Sequence, residues 1–380
     1  MNTRSKLPDV GVTIFTVMSR LANEHGAINL SQGFPDFPVD PGLIDLVSAH
    51  MKNGRNQYAP MQGVPQLREA IALKTKELYG AVYDPETEIT VTSGGTEALF
   101  AAITAVVNSG DEVIILEPAY DSYVPAVALA GGIPVFCPMR HPEYSVDWDM
   151  VIDRLSSRTR LIILNTPHNP TGAVLSAADI DALTGIVAGT DILILSDEVY
   201  EHVIFDGRVH HSMSRCPELA SRSFVVGSFG KTFHATGWKV GYCLAPAGLS
   251  EEFRKVHQYL TFATSTPVQH AIADFLEKKE TYLGLPLFYQ RKRDYFLSLV
   301  RDSRFTAIPS AGTYFQMLDY SLISDERDLD FARRLTVSGG VASIPPSVFY
   351  DKPQDKKVLR FCFAKKNETL ERAAERLCKI

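Results

Sequence analysis

The chain has 380 residues, 45% hydrophobic and 22% charged, which is ordinary globular composition but too long for one core, so two domains are expected. A formal net charge of −6 with no basic block excludes an electrostatic nucleic-acid reader, and no segment approaches the roughly 20 apolar residues of a membrane span. The five cysteines, Cys137, Cys216, Cys243, Cys362 and Cys378, are scattered with no C-x-x-C pair, which argues against a disulfide framework or a zinc site.

The first ten residues mix basic side chains with Pro8 and Asp9, and no apolar stretch of signal-peptide length follows. A soluble, cytoplasmic protein with reduced thiols is therefore expected. Residues 32–38 (Gln-Gly-Phe-Pro-Asp-Phe-Pro) are too rich in proline for a helix interior, so the segment before residue 45 reads as an ordered arm or loop. Apolar, β-rich runs then alternate with helical stretches. Strands are predicted at 89–92, 112–116, 133–137, 160–164, 192–195, 224–226 and 240–244, with an alanine-rich helix at 98–107. Runs this apolar suit strands buried on both faces, so the fold is predicted to be α/β, with a mostly parallel central sheet covered by helices. Beyond about residue 285 the texture changes to a charged helix at 290–300, strands at 315–318 and 359–363, and a C-terminal helix. The expected organisation is an arm contributing to a small domain (1–45), a large domain (46–285) and a smaller α+β domain (286–380).

Polar and glycine-rich residues follow these strands, where ligands bind in open α/β sheets. Lys231 comes just after the 224–226 strand, in Ser228-Phe229-Gly230-Lys231. An amine placed there loses hydration, its pKa falls, and it becomes a nucleophile for carbonyls. Lys239 follows a turn-forming Gly237. One lysine for covalency and one cation for phosphate suit a phosphorylated aldehyde. Ser93-Gly94-Gly95-Thr96 joins a strand to a helix and reads either as a phosphate cradle or as an ordinary tight turn; it is neither a dinucleotide fingerprint nor a Walker loop. Two prolines stiffen Asn165-Thr-Pro-His-Asn169-Pro-Thr-Gly172, so the Asn169 amide is poised to donate to a ligand, while His168 reads as a turn histidine with local hydrogen bonds. Asp197 ends an apolar strand, where a carboxylate is costly unless a cation such as a pyridinium N–H meets it; Tyr200 is three residues on. Capping of the next helix would also explain Asp197, but not the whole pattern.

These four sites, in this order, resemble the class I aminotransferases, pyridoxal phosphate (PLP) enzymes of fold type I. The resemblance spans essentially the whole chain, from Gln32-Gly33-Phe34-Pro35-Asp36 to Arg360 and the C-terminal helix. Finer features, Asn56-Gln57-Tyr58, Glu117-Pro118-Ala119-Tyr120 and Asn165-Thr166-Pro167-His168-Asn169-Pro170, resemble the kynurenine/glutamine aminotransferase branch. Thr13-Ile14-Phe15-Thr16, Ser31-Gln32-Gly33 and Val256-His257-Gln258-Tyr259 resemble bacterial methionine aminotransferases.

The resemblance implies pyridoxal 5′-phosphate as cofactor, with Lys231 as its Schiff-base lysine, Asp197 at the pyridine nitrogen and Tyr120 stacked on the ring. It implies Asn169 and Tyr200 at the ring hydroxyl, and Gly95, Thr96, Ser228 and Lys239 at the phosphate. Tyr58 is expected to reach the phosphate of a neighbouring subunit, which implies a homodimer with shared active sites. Arg360, Gly33 and Asn169 are expected at the substrate α-carboxylate. The family often has arginine at the Lys239 position; lysine there marks the kynurenine-type branch. Ile14, Phe15, Phe34 and Phe349 are candidate apolar walls, with simple core packing as the alternative. Methionine and aromatic donors, a 2-oxo acid acceptor and ping-pong kinetics are expected, with no metal. The rivals are a cysteine-conjugate C–S β-lyase on the same scaffold, kynurenine/glutamine transamination, and a PLP-binding module fused to a DNA reader. The last would need an N-terminal helix-turn-helix, for which the segment before Gln32 has no room.

Overall fold

The computed structural model describes residues 4–380; the first three residues of the expected arm lie outside the described residues. At its centre is a seven-stranded sheet in the order Ile89–Thr92, Gly241–Leu244, Ser223–Ser228, Leu193–Asp197, Thr159–Asn165, Glu112–Glu117 and Ile133–Pro138. Only Gly241–Leu244 runs against its neighbours; the other adjacent pairings are parallel. Each predicted strand of this sheet is present, with ends shifted by at most two residues. The central ones are buried along their whole length, which is why they read as unbroken apolar runs.

Helices cover both faces. Gly94–Val106 lies on one face and buries Ala98, Leu99, Ala101, Ala102, Ile103 and Val106; its small side chains allow close approach to the sheet. It starts four residues earlier than predicted, because its first turn is made by the two glycines of the strand-to-helix turn. Pro65–Tyr79 packs on the other face and places Lys74 beside Glu201, with Nζ 2.5 Å from Oε1. The Tyr79 and Tyr242 hydroxyls also donate to Glu201, so a buried polar network braces the chain just after Asp197.

The N-terminal segment is more regular than an arm. Ile14–Glu24 is a helix capped by Thr13, whose hydroxyl accepts from Thr16 N–H; the prolines that argued against a helix come later, from Pro35 onward. Ile28–Asn29 pairs in parallel with Val341–Ala342, and the first helix packs on Asp328–Val337, so the two ends of the sequence share one layer. Phe315–Asp319 pairs antiparallel with Val358–Cys362, and Leu285–Val300 packs on the C-terminal helix Asn367–Leu377. Among the described residues no helix is long and apolar enough to cross a membrane, and all five cysteines are free.

Candidate active site

The parallel strands deliver their carboxyl ends to one edge of the sheet. Glu117 leads to Tyr120, Asn165 to Asn169, Asp197 to Tyr200 and Ser228 to Lys231, and chain order reverses between the Glu112–Glu117 and Thr159–Asn165 strands. A cavity of about 240 Å³ opens there. Gly33, Gly95, Thr96, Tyr120, Asn169, Asp197, Tyr200, Ser228, Lys231, Lys239 and Arg360 all line it. Tyr58 does not: it is 87% exposed, edge-on to Phe262, at a separate surface hollow. A larger cavity of about 600 Å³ shares Asn165 and holds His168, but it contains no lysine and its one arginine, Arg208, is exposed. Chemistry rather than size therefore makes the smaller cavity the candidate.

Lys231 sits on the short helix Phe229–Thr232, directly after its strand. Its Nζ donates to Tyr314 Oη at 3.0 Å and to the Gly33 carbonyl at 3.3 Å. Burial lowers its pKa to about 8, and the nearby Arg360 and Lys239 push the same way. Asp197, at the end of its strand, accepts from the Tyr123 hydroxyl at 2.7 Å and from Val199 N–H at 3.3 Å. Burial dominates and raises its pKa to about 6, although the Tyr123 hydrogen bond and Lys231 pull it down. The site thus keeps an amine that is easily deprotonated and a carboxylate that lacks a close cation.

Strand register builds one end of the cavity. Gly241 pairs with Thr92 on one side and Ser228 on the other, so the turns beyond these three residues meet at one point. They meet closely: a Cβ on Gly241 would come within 2.9 Å of the Gly94 carbonyl carbon, and one on Gly95 within 2.9 Å of Val199 Cγ1. Gly94 has φ +78°, and a Cβ there would lie 3.3 Å from Lys239 Nζ. The N-terminus of the Gly94–Val106 helix therefore faces the cavity with its first N–H groups free and an ammonium alongside.

Arg360 enters from the Val358–Cys362 strand and is almost fully buried. It donates from Nη1 to Asn169 Oδ1 and from Nη2 to the Ser31 carbonyl, at 2.7 and 2.8 Å. The Asn169 Oδ1 is thus the acceptor for Arg360, while its Nδ2 stays available to donate into the cavity. The ring of Phe315 lies 3.9 Å from the guanidinium carbon, and Nε has no protein partner. Burial lowers the Arg360 pKa to about 10, which still leaves it cationic at neutral pH.

Of the four candidate apolar walls, Phe15 lines the cavity and the other three do not. Phe349 is core that packs on Phe15 at 5.8 Å, and Phe34 is exposed, its ring beneath Lys365. His168 bonds to Thr171 Oγ1 at 2.8 Å, and burial lowers its pKa to about 4, so it is a neutral turn histidine. Phe315 in the cavity wall escaped the sequence reading, as did Tyr123 and Tyr314, which bond to Asp197 and Lys231. Tyr123 had a signal, since it stands three residues beyond Tyr120. Nothing in local spacing links Tyr314 or Phe315 to Lys231.

Residues 25–377 match the family model for class I and II aminotransferases. The chain is 54% identical to the methionine aminotransferase of Escherichia coli K12, over 98% of this chain and 97% of that protein. It is 36% identical to the kynurenine–oxoglutarate transaminase of Dictyostelium discoideum, over 97% and 94%. A solved Escherichia coli structure identified as a methionine aminotransferase superposes with a TM-score of 0.98 at 53% identity, covering 100% of both chains. Family match, fold and full-length likeness agree: the chain belongs to the class I and II aminotransferases.

Proposed function

We propose that this aminotransferase takes the α-amino group of methionine and other apolar or aromatic amino acids and passes it to a 2-oxo acid, with pyridoxal 5′-phosphate held in the Lys231 cavity. One observation carries the reading: an amine of lowered pKa, a buried carboxylate without a close cation and a buried guanidinium with unspent donors share one small cavity. The residues fit that cofactor. Lys231 would attach it, Asp197 would meet its ring nitrogen, Tyr120 would stack on the ring, and Asn169 and Tyr200 would contact its hydroxyl. Gly95, Thr96, Ser228 and Lys239 surround the free helix N-terminus that suits its phosphate. When bound, the cofactor supplies a ring that accepts the electrons left at the substrate Cα.

The protein's own groups supply the rest. Arg360 grips the α-carboxylate with the donors left over from Asn169 and Ser31, and so orients the Cα–H bond. Lys231 Nζ, once free, removes the Cα proton; its lowered pKa makes it a competent base near neutral pH. The Tyr314 hydroxyl donates to the Gly33 carbonyl and accepts from Lys231, which ties the amine to the segment that carries Gly33. Oxo acid leaves before the second substrate enters, so the kinetics are ping-pong.

The preference for apolar donors is supported by Phe15, Leu99 and Phe315 in the wall, by the presence of one arginine only in the cavity, and by the 54% identity to a methionine aminotransferase. Such walls separate similar apolar groups poorly, so specificity is broad. The likeness to kynurenine transaminases places kynurenine in the same screen. We also read the division near residues 45 and 285 as a large and a small domain, exposed Tyr58 as a contribution to a second copy of the chain, and the free cysteines as those of a cytoplasmic protein.

The test is a donor screen on the purified, PLP-loaded chain, paired with borohydride reduction and peptide mass mapping. Methionine and aromatic donors should give their oxo acids only when an acceptor is present, with the reduced label on Lys231. Pyruvate, ammonia and thiol formed from a cysteine conjugate without acceptor, as the main reaction, would point to the β-lyase instead. A label on another lysine would end the reading.

A further inference from the structure

The anion-binding end carries a charge that works against it. Glu97 lies in the first turn of the Gly94–Val106 helix with its side chain 8% exposed, so a carboxylate shares the terminus whose N–H groups would receive a phosphate. Two like charges at a poorly solvated helix end repel. The carboxylate is held in place: Oε2 accepts from Ser93 N–H at 3.0 Å, and Oε1 lies 2.9 Å from His257 Nδ1. His257 projects from the Ala247–Leu260 helix, which packs along the Gly94–Val106 helix, and it is completely buried. Its Nε2 lies 2.9 Å from the Met61 carbonyl, which can only accept, so Nε2 bears a hydrogen. The Nδ1···Oε1 contact then needs a proton of its own, since otherwise a lone pair would face a carboxylate. Wherever along that bond the proton lies, the Glu97–His257 pair has no net charge.

We infer that His257 is a positioning residue for anion binding: it cancels the Glu97 charge and holds that carboxylate on Ser93 N–H, so that the helix N-terminus and Lys239 can take a phosphate dianion. Neither His257 nor Glu97 lines the cavity, so the effect is exerted through the turn at Ser93. The inference rests on the PLP reading and adds a residue to it.

The experiment uses the full chain, stripped of cofactor with hydroxylamine and titrated with pyridoxal phosphate and with pyridoxal, which lacks the phosphate. The readout is the ratio of the two affinities, which a purely structural role would not move. His257→Asn should lower that ratio about tenfold, the scale of a charge at a helix terminus, and adding Glu97→Gln should restore it. If His257→Asn does not fold, the double variant decides, because it is expected to keep the wild-type ratio. Equal weakening of both aldehydes, an unchanged ratio in His257→Asn, or a lowered ratio in the double variant overturns the role of His257. Wild-type chain that binds the phosphate form no better than pyridoxal, or takes no reduced label on Lys231, overturns the cofactor reading and this inference with it.

Discussion

Replacing Arg360 by lysine keeps a cation in the cavity but removes the planar fork, so it isolates what the guanidinium geometry contributes. A guanidinium has five N–H donors. Asn169 Oδ1 and the Ser31 carbonyl take one each, and Nε is unpartnered, so enough remain for two parallel bonds to a carboxylate. Lysine offers such a carboxylate one bond at most. The loss is about one charge-assisted hydrogen bond, roughly 1.5–3 kcal/mol, or a fall in kcat/KM of about 10- to 150-fold. The α-carboxylate does not change during the reaction, so the loss falls on KM more than on kcat. Single-turnover mixing of the PLP-loaded enzyme with increasing methionine reads the amino-donor half-reaction alone, and the decarboxylated amine of methionine serves as the control. The variant should lose affinity for methionine and leave the control unaffected. Equal effects on both donors, or unchanged methionine kinetics, would refute the assignment of Arg360 to the carboxylate.

Two further outcomes follow from other buried charges. Burial lowers the Lys231 pKa to about 8, so the neutral amine becomes the major form as pH rises through that value; capture of pyridoxal phosphate by stripped protein should accelerate with a midpoint near pH 8, and a rate that is flat from pH 7 to 9 would contradict this. Lys74→Met leaves the Glu201 carboxylate buried without its cation and should cost about 3–5 kcal/mol in urea unfolding, whereas Lys74→Met/Glu201→Leu should recover most of it; a double variant no more stable than the single would show that the pair does not act as a unit. Burial pushes the Glu201 pKa up, but Lys74, His202 and the hydrogen bonds outweigh it and hold it well below 4.5. Its contribution to stability is therefore present above the unfolded carboxylate range and is lost only as pH falls through the lower folded value.

The sequence by itself determined where the strands of the central sheet lie, to within two residues at each end. Apolar runs such as 160–164 and 192–195 are long because both faces are covered, and burial of this kind is written in consecutive residues. Lys231, Asp197, Asn169 and Gly95 were legible for a related reason: each stands within a few residues of such a run, and chain connectivity delivers it to the ligand edge. Arg360 was legible only through family resemblance, because it comes from a different sheet. Tertiary structure alone decided that Tyr314 holds Lys231 against Gly33, that Phe315 lies under the guanidinium and that Tyr123 reaches Asp197. It also decided that Phe34 turns outward while Phe15 lines the cavity. These contacts join residues as many as 281 positions apart. Local propensity and hydrophobic period describe neighbours along the chain, whereas which side chains meet across a cavity depends on how the layers pack.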